Sequence, residues 1–106
     1  MKYIIRDAPQ VAEAFFALTT AVKTYSPLDM KTTELVLLGI FAAHRGLRGL
    51  HTHVERAVAE GATKEEILAA ILLALPIIGI TDIALAVEQA VLTLEGTQEQ
   101  VDATTH

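Results

Sequence analysis

Residues 67–80 run for 14 positions without a charged side chain, and residues 35–43 form a second such run. These two stretches constrain the fold more than any other feature of the chain. A membrane-spanning helix needs about 20 apolar residues, whereas the longer run is interrupted by Pro76 and Gly79 and followed by Thr81 and the charged Asp82. Both are therefore expected to be core helices, apolar on every side and wrapped by protein. No segment keeps up a period-two alternation, so strands are not expected and the fold class is all-α.

The helix boundaries follow from capping chemistry. Asp7 can cap a first helix over residues 10–25, with Pro9 in the first turn, where its missing N–H is no loss. Val11, Phe15, Leu18 and Val22 recur along it at helical spacing. Ser26-Pro27 ends it, because the residue before proline is pushed out of the α region. Asp29 caps a second helix reaching about Arg45, and a third covers residues 46–60, with Gly61 as its terminator. Thr63 and Glu66 read as the capping box of a fourth helix. Thr81 or Asp82 caps a fifth over residues 83–94, which Gly96 closes ahead of a polar tail at 97–106. The expectation is one domain over residues 1–106, of about five helices, with its core in residues 28–94.

Composition then narrows the function. Thirteen acidic against eight basic residues leave a net charge of -5, which argues against nucleic acid or an anionic membrane as partner. The chain has no cysteine, which excludes disulfides, thiolate-bound zinc and any thiol nucleophile. With 52% hydrophobic residues in 106 positions, so small a domain has too little interior for two helices that are apolar all round. The surplus is expected to be covered by other copies, in a homo-oligomer. The opening MKYIIRDAPQ carries no long apolar stretch, so a cytoplasmic location is expected.

Candidate chemistry gathers around residues 34–53. Glu34, His44, His51 and His53 lie close in sequence, but His51 and His53 point about 160° apart on a regular helix and cannot share an ion. No metal and no cofactor are expected. Ser26 is the only serine and lacks a nucleophile context. On a helical wheel Leu47, Leu50, Val54, Ala57 and Val58 form a buried stripe, with His53 on one flank beside Gly46 and Gly49, and His51 on the other. Glu34 lies near a helix start, where a carboxylate also suits the macrodipole. Arg45, Arg48 and Arg56 are by default solvated or paired surface charges.

Three blocks carry a family resemblance. Leu28-Asp29-Met30-Lys31-Thr32-Thr33-Glu34-Leu35, then His53-Val54 with Ala57, then Gly61-Ala62-Thr63-Lys64-Glu65-Glu66-Ile67 resemble carboxymuconolactone decarboxylase and alkylhydroperoxidase-D-like proteins. The resemblance implies an all-α fold of that type, assembled as a trimer or hexamer. In the family's peroxidase branch two cysteines precede the motif histidine, and a glutamate on the preceding helix completes a proton relay. Those positions fall here on Gly46, Gly49, His53 and Glu34. Peroxide reduction by that route needs a thiolate and a resolving thiol, so it is not expected.

The decarboxylase branch implies acid–base chemistry on a small carboxylated molecule. Glu34 and His53 would be the catalytic pair, and Arg45, Arg48 and His51 would bind substrate. The alternative from another class is a non-catalytic oligomer of the same fold, binding a small ligand or acting as a scaffold. A partly desolvated Glu34–His53 pair lining a pocket favours the enzyme; the same region filled over favours the binder.

Overall fold

The computed structural model describes the backbone of residues 1–105 and the side chains of residues 1–96. Seven helices follow in order among the described residues: α1 (Lys2–Asp7), α2 (Pro9–Tyr25), α3 (Met30–Ala43), α4 (Leu47–Ala59), α5 (Lys64–Leu72), α6 (Leu75–Ile78) and α7 (Ile80–Thr105). No strand occurs among them, and the fold is all-α. Two short helices, α1 and α6, add to the five expected from sequence. No described helix is long and apolar enough to cross a membrane.

Local chemistry sets the ends of the central helices. The Asp29 carboxylate accepts from the Thr32 N–H at 2.7 Å, capping α3. At α5 the Glu66 N–H donates to Thr63 Oγ1 at 3.1 Å while the Thr63 N–H donates to Glu66 Oε1 at 2.9 Å, so the expected capping box is formed. Glu66 also pairs with Lys31 at 2.9 Å, which ties α3 to α5. Gly61, at φ 89, closes α4: its N–H reaches Val58 O, and the Ala62 N–H reaches Ala57 O. That is the reciprocal pattern of a left-handed helix terminator.

The α3–α4 corner uses the same motif with the wrong residue. The Arg45 N–H reaches Ala42 O and the Gly46 N–H reaches Phe41 O, placing Arg45 at the left-handed position with φ 57. That conformation normally falls to glycine, because an L side chain there is strained by about 1–2 kcal/mol. Gly46 then becomes the N-cap of α4.

Four helices make the core. Leu38 and Ala42 of α3, Leu50, Val54 and Ala57 of α4, Ile67 and Ile71 of α5, and Ile83, Ala86 and Ala90 of α7 form one buried cluster. Two boundary expectations fail at α7. It begins at Ile80, so Thr81 and Asp82 lie inside it rather than capping it, and it passes through Gly96 into the expected tail. A glycine with helical neighbours on both sides weakens a helix without breaking it.

The larger departure is at the N-terminus. Of α2 only Ala12 is buried; Val11, Phe15, Leu18 and Val22 are exposed, and Val22 borders a cleft shared with Val36 and Leu37 of α3. Helix α2 packs chiefly on α1, so the two form an arm beside the bundle. The Cα radius of gyration is 15.5 Å, against about 13 Å for a compact chain of this length. Nor are the two charge-free runs wrapped on all sides: Val36 and Ile40 of α3, Leu72 of α5 and its C-cap Leu73 are exposed.

Candidate functional site

Glu34, Leu38 and Ala42 lie four residues apart along α3 and form its buried stripe, as i, i+4 positions share one helix face. Glu34 is in the second turn rather than the first, so burial, not the helix terminus, defines its surroundings. Across from it, Leu50, Val54 and Ala57 give α4 its buried stripe, with His53 on the edge. The two side chains meet: His53 Nδ1 is hydrogen-bonded to Glu34 Oε2. Only 4% of the carboxylate side chain and 14% of the imidazole remain exposed.

This geometry defines the protonation roles. A carboxylate accepting from Nδ1–H fixes the ring orientation and directs proton exchange to Nε2. Among the described residues Nε2 has no hydrogen-bond partner. The arrangement is that of a proton donor or acceptor backed by a buried acid.

Above the pair lies Phe41, a residue the sequence reading did not single out. Its ring stacks on His53 with centroids 5.0 Å apart and planes 22° apart. It also covers the backbone of Gly46 and Gly49. A Cβ at position 49 would come within 2.2 Å of the ring, and one at position 46 within 2.9 Å. Gly46, the N-cap of α4, and Gly49 in its first turn are the positions that the resemblance would align with cysteines, and an aromatic ring stands where their side chains would go. Two signals pointed to this: a Gly-x-x-Gly in an amphipathic helix start, and a phenylalanine in a chain only 5% aromatic.

The remaining candidates lie elsewhere. His51 faces α7, with Nδ1 2.9 Å from Thr93 Oγ1 and Nε2 3.1 Å from Glu55 Oε1. Arg45 is exposed and reaches Asp82 in the first turn of α7 at 3.3 Å. Arg48 is exposed on the first turn of α4, without an ion-pair partner among the described residues. His44 is the exposed C-cap of α3. The fold thus unites Glu34, His53, Gly46 and Gly49 and leaves His51 on another face of α4. Among the described residues no three His, Asp or Glu side chains converge as a metal site.

A groove of 470 Å³ runs between α3 and α5, bordered by Leu35, Val36, Gly39, Ala69, Ala70 and Leu73. Neither Glu34 nor His53 lines it.

The model of the carboxymuconolactone decarboxylase family matches residues 9–93, taking in α2 as well as the bundle. No curated protein and no solved structure matches the chain.

Proposed function

This chain belongs to the carboxymuconolactone decarboxylase family and has no cysteine, and from that premise we propose that it carries out acid–base chemistry on a small carboxylated molecule. The buried, hydrogen-bonded Glu34–His53 pair is the observation that carries the reading. In the proposed step the bond from the substrate carbon to its carboxylate breaks and CO₂ leaves. The electron pair stays on the carbon as a carbanion or enolate. His53 Nε2 then delivers its proton to that carbon and is reprotonated from water. Glu34 acts as a positioning residue, holding Nδ1–H and stabilising the charged ring.

Arg48, exposed at the start of the same helix, is the proposed anchor for a second substrate carboxylate. Arg45 contributes beside it when it releases Asp82. The His51 ring, held between Thr93 and Glu55, has no part in this proposal. The Phe41 ring stacks on one face of the imidazole, so substrate approaches Nε2 from the ring edge.

The Phe41 packing favours a second reading, in which the site is closed for good and the protein is a non-catalytic ligand-binding or scaffold member of the family. Turnover of carboxymuconolactone, followed by CO₂ release, separates the two. The enzyme reading expects turnover in the wild type and at least about a 100-fold loss of kcat in His53→Ala. Turnover unchanged in both His53→Ala and Glu34→Gln would remove the pair from the mechanism. If the wild type consumes no carboxymuconolactone or related lactone acid, the non-catalytic reading stands.

A further inference from the structure

The groove between α3 and α5 has a polar end and an apolar end. Thr32 and Glu66, in the first turns of their helices, line it at one end. From there it passes Leu35 and Val36 to reach Gly39, Ala70 and Leu73. A Cβ at Gly39 would come within 3.3 Å of Ala70 O, so the two helices nearly touch at the floor. Thr32 and Gly39 are seven residues apart on α3, a rise of about 10 Å. The groove volume of 470 Å³ lies within the roughly 300–1,000 Å³ of small-ligand clefts. At about 30 Å³ for a water-sized group, it has room for about fifteen non-hydrogen atoms.

The walls call for hydrocarbon. Val36 is exposed and Leu73 is 76% exposed, so an apolar occupant takes both out of water. Each methylene group buried there tightens binding about fourfold.

The polar end says what the head group is. Lys31 Nζ lies 2.9 Å from Glu66 Oε2, and both side chains remain more than a third exposed. Glu66 Oε1 accepts the Thr63 N–H. Lys31 spends one of its three donors on Glu66, and each Glu66 oxygen keeps a second lone pair. The pair carries no net charge. A carboxylate head would be drawn to Lys31 and repelled by Glu66, and an ammonium head the reverse. The chain's net charge of -5 adds to the cost of a carboxylate. A hydroxyl suits both groups, accepting from Lys31 and donating to Glu66.

We infer that the α3–α5 groove binds a small apolar alcohol, its hydroxyl set between Lys31 and Glu66 and its hydrocarbon body along Leu35, Val36 and Leu73. This site is separate from the proposed chemistry, because neither Glu34 nor His53 lines the groove.

The probes are 1-octanol, octanoate and octylammonium, which share one chain and differ in the head. Each is titrated into the whole protein and followed by calorimetry and by methyl resonances. 1-Octanol binds once per chain, shifts the methyl signals of Leu35, Val36 and Leu73, and has a Kd at least about tenfold below those of the two charged probes. Shortening it to 1-hexanol weakens binding by about tenfold or more. Ala69→Leu, at an exposed position in the groove, fills the space, keeps its helical circular dichroism and weakens 1-octanol by about tenfold or more. Lys31→Met turns the preference to octylammonium. Glu66→Gln, which retains the capping box, turns it to octanoate. His53→Ala leaves all three affinities unchanged, so the groove and the acid–imidazole pair stand or fall separately.

Absence of saturable 1-octanol binding overturns the inference, including the case in which other copies of the chain cover the groove. So does binding that Ala69→Leu does not weaken, since the alcohol then sits elsewhere. Equal affinity for the three heads, or a preference unmoved by Lys31→Met and Glu66→Gln, removes the ion pair from recognition and overturns it as well.

Discussion

Phe41 stacks on His53 at a centroid separation of 5.0 Å, and the same ring lies over the backbone of Gly49, where an added Cβ would come within 2.2 Å. One side chain therefore stacks on the imidazole of the buried pair and crowds the space that a side chain at position 49 would need.

Replacing that glycine is the most direct test. Gly49→Ala should destabilise the fold by about 1–3 kcal/mol in urea unfolding, the range for overpacking a well-filled site. In a Phe41→Ala background the same change should become neutral or stabilising, since alanine is the better helix former. A near-additive pair of effects would mean the ring and the glycine do not touch. The double change Gly46→Cys, Gly49→Cys should likewise fail to form a disulfide until Phe41 is reduced to alanine.

The Glu34–His53 contact should appear as coupling rather than as two separate losses. His53→Ala leaves a buried carboxylate without its donor, and removing one member of such a bond costs about 1–3 kcal/mol. Glu34→Gln and His53→Ala combined should therefore destabilise by at least 1 kcal/mol less than the sum of the singles. Additivity within about 0.5 kcal/mol would show that the two side chains act independently.

Acid should loosen the α3 and α5 starts first. The Thr32 N–H bond to Asp29 holds that carboxyl below its ordinary range. The Thr63 N–H, followed by Lys31, does the same for Glu66. Both groups bind protons more weakly folded than unfolded, so they stabilise the protein at neutral pH. That contribution drains away as pH falls through the ordinary carboxylate range toward the lowered folded values. Asp29→Asn with Glu66→Gln should flatten the acid limb of a stability–pH curve and leave its neutral slope unchanged. An unchanged acid limb would sink this account.

These caps were legible in the sequence because a cap is a conversation over three residues: Asp29 with Thr32, Thr63 with Glu66, Gly61 with the turn before it. The Glu34–His53 pairing spans 19 positions and came only through the family resemblance. Phe41 escaped notice because a phenylalanine in an apolar helix reads as core, and nothing local says that it bridges two helices. The α2 ridge was found from its period, yet a period says only that a face needs cover. Whether the same chain supplies that cover is a tertiary fact. Gly96 misled for a related reason, since glycine favours helix ends only where the backbone turns left-handed.

Arg45 gives a fourth test. At φ 57 it occupies a position suited to glycine, and its exposed contact with Asp82 is worth little. Arg45→Gly should therefore raise stability by about 1 kcal/mol. If Arg45 also holds substrate, the same variant raises KM while leaving kcat near the wild-type value. A destabilised variant would show that the Asp82 contact outweighs the backbone strain.

The interlock between position 41 and position 49 also imposes an order on mutational history. A lineage that carries the aromatic ring meets a steric penalty on acquiring a thiol at position 49, which a smaller residue at position 41 would first remove. A lineage with a side chain at 49 cannot accept the ring until that position has become glycine. The ring and a side chain at 49 thus compete for one space, and the nucleotide distance between glycine and cysteine codons says little about how costly the exchange is.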